Sequence, residues 1–422
     1  MHVSLAESLK TEPAALRGQE LLKSCVHCGF CNATCPTYQQ LGDEQDGPRG
    51  RIYRLGNILE GKAPSRLDAL HFDRCLTCLN CETTCPSGVR YSGIIDLARD
   101  MAASQRPRME QWLRKGLVSL LLHPLTARLY DWFRPVLRLS GLRRGTDSQA
   151  FRAVQSSPAT PLRGRVMLFE GCVQPYLMPE INAATEFVLH RLGYEVIRHA
   201  LTDCCGALHH HTLGSPDAEP LVTGNVRQWH SWLEDDSIHA ILVNASGCGA
   251  FIQRYPLLLE GHEAGMALQA EKVTRKTHDL LDFIACHGRE SLAQMLAGIP
   301  TAIKAQTHLA FHPPCTLQHG LQIRGVMESL LSQWGYAWTA IPDAHLCCGA
   351  AGSYTILQPA MARQLRDKKL GSIARTDAAR LLSANIGCLH HLQTASQIPV
   401  HHWIIWLAGQ IQYAERLKSD GQ

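Results

Sequence analysis

Cys25-Val-His-Cys28-Gly-Phe-Cys31-Asn-Ala-Thr-Cys35-Pro36 places three cysteines at i, i+3 and i+6 and a fourth four residues later, followed by proline. Three thiolates at that spacing can wrap one iron–sulfur cube, and the fourth is offset so that it reaches a different one. The required partner is Cys75-Leu-Thr-Cys78-Leu-Asn-Cys81-Glu-Thr-Thr-Cys85-Pro86, which repeats the spacing. The expected wiring puts Cys25, Cys28, Cys31 and Cys85 on one [4Fe–4S] cluster, and Cys75, Cys78, Cys81 and Cys35 on the other. Structural zinc is the competing reading of paired CxxC motifs. Zinc sites need neither the third cysteine nor the terminal Cys-Pro, so two full copies of the longer spacing favour clusters.

Length and composition frame that motif. A chain of 422 residues suggests two or three domains, and 45% hydrophobic with 18% charged residues describes a soluble chain with ample core material. The 17 cysteines are odd in number, and Met1–Pro13 lacks the charged and apolar pattern of a secretion signal. A reducing cytoplasm is therefore expected, where thiolates serve metals rather than disulfides. No apolar run approaches the length of a membrane-spanning helix.

Working outward, Leu5–Leu22 reads as a short helix leading into the first motif. Between the motifs, Gly47, Pro48 and Gly50 break a turn-rich loop that opens a helix over Arg51–Glu60. Arg49 and Arg51 either offset cluster charge or are ordinary solvated helix-start residues. Ile94–Met101 looks helical. Residues 106–165 carry twelve Lys/Arg against Glu110, Asp131 and Asp147, a local +9 in a chain of net +4. Trp112, Leu117, Leu120, Leu121, Leu129, Trp132, Phe133 and Leu137 are interleaved with that charge. The stretch reads as a helical linker with arginines facing water, as a membrane-surface segment, or as a docking segment. Nucleic acid is not expected, because no recognised binding module accompanies the charge.

The rest of the chain holds an internal repeat. Cys172 is followed after 32 residues by Cys204-Cys205-Gly206 and later by Cys248; Cys315 is followed after 32 residues by Cys347-Cys348-Gly349 and later by Cys388. Strand-like Val166–Phe169 and Leu309–Phe311 precede the first cysteine of each copy. Further β-like runs, Glu195–Ile197 and Ala337–Ile341, precede each Cys-Cys-Gly, and Ala240–Val243 and Leu381–Leu382 precede each last cysteine. In open α/β sheets ligands bind beyond the carboxyl ends of strands, so this order would gather four cysteines per copy at one sheet edge. Whether Cys172, Cys204, Cys205 and Cys248, or Cys315, Cys347, Cys348 and Cys388, bind further clusters is left open by the sequence; buried core cysteines are the alternative. His209–His211 reads as polar surface or loop filling beside the first Cys-Cys-Gly, and Arg363, Arg366, Lys368 and Lys369 as a solvated helix face.

These residues resemble known families. The N-terminal motifs resemble the helical two-cluster ferredoxin module, and the repeat resembles the cysteine-rich CCG domain of heterodisulfide reductases and of electron-transfer subunits of flavin dehydrogenases. Longer strings resemble the bacterial glycolate oxidase iron–sulfur subunits: Gly47-Pro-Arg-Gly-Arg-Ile-Tyr53, Arg74-Cys-Leu-Thr-Cys78, Cys81-Glu-Thr-Thr-Cys-Pro-Ser-Gly-Val-Arg-Tyr91, Thr316-Leu-Gln-His319 and Cys347-Cys-Gly349. The fold class expected is multi-domain α+β. Residues 15–105 form an all-helical ferredoxin-like domain with two [4Fe–4S] clusters, 106–164 a basic helical linker, and 165–300 and 301–422 two tandem α/β CCG repeats. One departure stands out: each repeat ends in a single cysteine (Cys248-Gly-Ala-Phe251, Cys388-Leu-His-His391) where heterodisulfide reductases have CxxC.

No GxGxxG after a strand and no Walker loop is present, so this chain offers no hydride acceptor of its own. The resemblance implies that glycolate is oxidised on FAD in partner glycolate oxidase subunits, and that this chain passes electrons towards membrane quinone. No catalytic residue is expected here, and the chain is expected in the cytoplasm with peripheral contact at the inner membrane face. Two alternatives belong to other readings: the iron–sulfur subunit of a lactate or anaerobic glycerol-3-phosphate dehydrogenase, or a disulfide reductase acting at the CCG cysteines.

Overall fold

The computed structural model describes residues 1–122, 157–158, 162–198, 204–263 and 265–420. Leu129, Trp132, Phe133 and Leu137 of the basic stretch lie outside the described residues. The chain divides into two compact units. One comprises Met1–Val118 with Leu208–Ala218 and His345–Lys369; the other comprises Ser119–Ala207, Glu219–Ala344 and Leu370–Gln422.

The first unit is helical. The helix expected over Leu5–Leu22 is instead a 3-10 turn, Glu7–Leu9, followed by an α-helix over Pro13–Lys23. Pro13 sits at the helix start because its missing N–H is one of the donors a helix leaves unsatisfied there. For the same reason the helix expected from Arg51 begins at Pro48 and runs to Leu59. A capping box at Ser65 and Asp68 opens Arg66–Asp73, and a further helix spans Tyr91–Ala102. Their apolar faces meet in one core that includes Leu22, Leu55, Leu59, Phe72, Ile94 and Ile95 together with Cys25, Cys75 and Cys81. The cysteine loops are thus anchored on rigid helix ends.

The second unit contains two parallel sheets. In the first repeat β1 (Gly164–Phe169), β2 (Tyr194–Arg198), β3 (Ile238–Val243) and β4 (Thr277–Asp279) pair in the order β2-β1-β3-β4. In the second, β5 (Leu309–His312), β6 (Arg380–Ser383) and β7 (Val400–His402) pair in the order β5-β6-β7. The β-like run at Ala337–Ile341 makes only a single bridge, Trp338 to Leu309. The short strands β4 and β7 carry too few residues for an alternating pattern to declare them. Val166, Leu242, Leu309 and Leu382 from both sheets share a core with the helices Glu180–Arg191 and Trp403–Asp420.

Candidate metal centres

The two cysteine loops of the first unit fold alike. Cys25 N–H bonds to Leu22 O and Cys75 N–H to Phe72 O, each at 3.1 Å, so each loop springs from the last turn of a helix. Each chain then enters the left-handed region twice, at His27 and Gly29 and at Thr77 and Leu79. Gly29 does this freely; Leu79 takes the same turn with a side chain, at a cost of about 1–2 kcal/mol. Short helices, Phe30–Ala33 and Asn80–Thr84, carry Cys31 and Cys81. Cys35 and Cys85 follow in extended conformation, as the residue before proline must.

That fold sorts the eight cysteines into two groups across the motifs. Cys25, Cys28, Cys31, Cys81 and Cys85 line one cavity. Cys35, Cys75, Cys78 and Cys81 line another, beside Thr37, Arg51 and Tyr91. Burial pushes the Cys31 thiol up to about 11, and Cys25, Cys35 and Cys85 push the same way. Burial also holds the Cys81 thiol well above its usual range, reinforced by Cys78, Cys35 and Cys75. Crowded, buried thiolates repel one another unless a cationic core lies among them. Four sulfurs are a donor set suited to an iron–sulfur cube; with Cys81 common to both cavities, the eight cysteines could hold two.

A polar frame surrounds the second group. Arg51, only 1% exposed, donates from Nε to His71 O (2.7 Å) and from Nη2 to Thr37 Oγ1 (3.2 Å). Asp46 lies 3.7 Å from Arg51, 3.0 Å from His71 and 2.9 Å from Arg74. Burial alone would raise the Asp46 carboxyl, but His71, Arg51 and Arg74 hold it below the usual range. Burial would likewise lower the Arg51 guanidinium, yet Tyr91, Cys75, Cys35 and Asp46 outweigh it and keep it charged. Arg99 closes the other side, donating to Cys75 O at 2.5 Å and Thr77 Oγ1 at 2.9 Å. Arg49 instead forks onto Glu44 at the surface (2.6 and 3.1 Å) and donates to His27 O. Cys28 is exposed, as are its neighbours Val26 (68%) and Phe30 (63%), whereas Cys75, Cys78 and Cys81 are buried.

In the first repeat, Cys172 follows β1 and Cys248 follows β3, flanking the point where the strand order reverses. The four thiols meet there: Cys204 hydrogen-bonds with Cys172 and Cys205, and Cys205 also with Cys248. These contacts, then burial, hold the Cys172 and Cys205 thiols far above the ordinary range. Tyr255 Oη donates to Cys205 O (2.7 Å) and Asn225 to Cys204 O (2.9 Å), fixing the dipeptide. Gly206 N–H points at Cys204 Sγ (3.3 Å) and Gly349 N–H at Cys347 Sγ (3.4 Å), the same local turn in both repeats. Cys347 and Cys348 belong to the first compact unit, and Cys315 and Cys388 to the second.

Three readings of single residues change. Arg51 is neither solvated nor at the helix start but fully buried beside Cys35 and Cys75. His210 is buried, with Nε2 3.1 Å from Asp96 Oδ2, so this member of the triple histidine is not surface filling. Lys369 is 3% exposed and does not belong to a solvated face. In the basic stretch, Arg106 and Arg114 turn inward onto Asp73 (2.8 Å each), which they hold below the usual carboxylate range against its burial. Arg51 stood in the sequence inside Gly-Pro-Arg-Gly-Arg; no local pattern announced Arg99, Asp46 or His71.

Comparison with known proteins follows the same division. The profile of a 4Fe-4S dicluster domain matches residues 21–89, and that of a cysteine-rich CCG domain matches 166–253 and 309–393. The chain is 41% identical over 408 residues to the glycolate oxidase iron–sulfur subunit of Escherichia coli, covering 96% of this chain and 98% of the relative. It is 27% identical over 399 residues to a probable glycolate oxidase iron–sulfur subunit of Bacillus subtilis, covering 87% of each. Lactate utilization protein A of Bacillus pumilus is 25% identical over 226 residues, 53% of this chain and 89% of that protein.

Proposed function

Because the chain belongs to the family of glycolate oxidase iron–sulfur subunits, we propose that it carries electrons within a glycolate-oxidising complex, from FAD on partner subunits towards membrane quinone. The observation that carries this reading is the crosswise sorting of eight cysteines around two adjacent cavities, which share Cys81 in their linings. Cys25, Cys28, Cys31 and Cys85 would hold one [4Fe–4S] cluster, and Cys75, Cys78, Cys81 and Cys35 the other. Such clusters supply one-electron carriers at potentials set by charge, hydrogen bonding and exposure. Arg51 and Arg99 place two guanidinium groups against the second cysteine set and offset its negative charge. The exposed loop Val26–Phe30 supports electron exchange with a partner at the first set, while burial keeps water from the second. Oxidation of glycolate to glyoxylate is assigned to the flavin subunit, and no catalytic side chain to this one.

The helix Arg108–Leu122 supports a peripheral membrane contact. Met109, Trp112, Leu113 and Leu120 recur at helical spacing and are all more than half exposed. An exposed apolar face within a basic stretch suits an anionic lipid surface. No helix among the described residues is long and apolar enough to cross a membrane.

The test is anaerobic capture of the tagged chain from its host, followed by flavin analysis and dye reduction with glycolate, D- and L-lactate and glycerol 3-phosphate. Co-purifying FAD with glycolate as best donor is the expected result. A lactate or glycerol 3-phosphate preference would move the chain to another dehydrogenase, and a chain recovered alone and inert would defeat the subunit reading. The match to lactate utilization protein A covers only about half of this chain, which favours glycolate.

A further inference from the structure

The histidine run absorbed by none of this chemistry lies against the helix Tyr91–Ala102, within the first compact unit. His210 and His211, in the short helix Ala207–Thr212, each turn a ring nitrogen towards Asp96, and the three ligand atoms all lie within 4.8 Å of one another. Adjacent histidines on a helix ordinarily diverge. Here the two rings stand nearly perpendicular (81°) with centroids 5.2 Å apart, which brings both onto one side. His210 and Asp96 are buried and already 3.1 Å apart. We propose that Asp96, His210 and His211 form a binding site for a single divalent transition-metal ion of the zinc class, separate from the cysteine centres.

The donor chemistry fits. Two imidazoles and one carboxylate, with a fourth position open, is a set that zinc and its neighbours accept at about 2.0–2.2 Å per ligand. Ligands sharing such an ion tetrahedrally sit about 3.4 Å apart, so closure asks a shift on the order of 1 Å from the observed positions. The local charge also invites a cation. Asp100, one turn along from Asp96, is drawn above the ordinary carboxylate range by burial, and the Asp96 charge adds to the rise. Asp100 accepts the Ser215 N–H at 3.1 Å. The nearby Arg106 and Arg114 are committed to Asp73. A bound ion would tie the segment Leu208–Ala218 to the helix whose Arg99 holds the Cys75 loop.

The experiment uses the full chain, purified anaerobically with its clusters, dialysed against zinc and then against buffer. Metal analysis is expected to find one zinc per chain beside an unchanged iron content, and zinc K-edge spectroscopy to show nitrogen and oxygen ligands at about 2.0–2.1 Å. His211→Ala, which spares the His210–Asp96 pair, is expected to weaken zinc binding by at least about 100-fold, beyond the 10–100-fold loss typical of outer partners. Zinc should raise the melting temperature of the wild type and not of this variant. Should His211→Ala fail to fold, His211→Gln provides the same comparison. Wild-type chain that retains no zinc overturns the proposal. So does zinc bound through sulfur at about 2.3 Å, which places it in the cysteine sites, or a variant that binds as the wild type does.

Discussion

Replacing Arg51 by methionine keeps most of the side-chain volume and removes one buried positive charge. Two effects follow from the structure. The first is on stability: His71 O and Thr37 Oγ1 lose their donor and Asp46 loses one of its partners. Removing one member of a buried ion pair costs about 3–5 kcal/mol. Because Arg74 at 2.9 Å and His71 at 3.0 Å still hold Asp46, the lower end, about 3 kcal/mol, is expected. The second effect is on potential. Arg51 lines the same cavity as Cys35, Cys75, Cys78 and Cys81. A unit charge about 8 Å away at an effective dielectric of about 20 contributes about 2 kcal/mol. For one electron that is about 90 mV, and loss of positive charge makes reduction harder, so the shift is negative. Arg51→Lys retains the charge and should recover most of the potential, while recovering stability poorly because the fork to two acceptors is lost. Redox titration followed by EPR separates the clusters. A folded Arg51→Met variant with both potentials within about 20 mV of wild type, well inside the Coulomb estimate, or with both shifted equally, refutes the reasoning.

Crossed wiring predicts that Cys85→Ser disturbs the cluster held by Cys25, Cys28 and Cys31, and that Cys35→Ser disturbs the other; iron analysis and EPR would show each variant losing the signal of the opposite motif. Asp279 caps the helix Leu280–His287 by accepting the Leu281 N–H at 2.9 Å, while its Oδ2 is buried without a hydrogen-bond partner. Burial pushes its carboxyl up to about 7, with Asp282 adding to the rise. Its folded affinity for the proton exceeds the unfolded one, so this stabilisation is full below about pH 4 and is lost as pH rises to about 7. Asp279→Asn should therefore gain up to about 4 kcal/mol over wild type at pH 8 and little near pH 4, read by denaturant melts. Gly349 has φ +87°, and an added Cβ would stand 2.6 Å from Ala362 O and 2.9 Å from Leu365 Cβ. Gly349→Ala should cost more than the 1–2 kcal/mol of the left-handed conformation alone, seen as a lowered melting temperature.

The parts legible in the sequence were those whose signal is local. Each four-cysteine string carries its own spacing, and its Cys-Pro end dictates an extended backbone at Cys35 and Cys85. β1, β2, β3, β5 and β6 showed as apolar runs ahead of cysteines. What stayed hidden depends on partners distant in the chain. Nothing near His210 announces Asp96, and nothing near Arg106 or Arg114 announces Asp73, so charged residues read as solvated proved buried. The run Ala337–Ile341 has strand composition, yet it forms only one bridge, since strand identity is settled by pairing rather than by composition. Pro13 and Pro48 were in plain view, and they start their helices where proline chemistry places them.

Electron transfer through this chain is tested most directly by EPR of the anaerobically captured complex, frozen within one turnover of adding glycolate. The account predicts reduced-cluster signals approaching two spins per chain, in step with flavin reoxidation and absent without glycolate. Flavin that is reduced by glycolate while the clusters of this chain stay oxidised would contradict it.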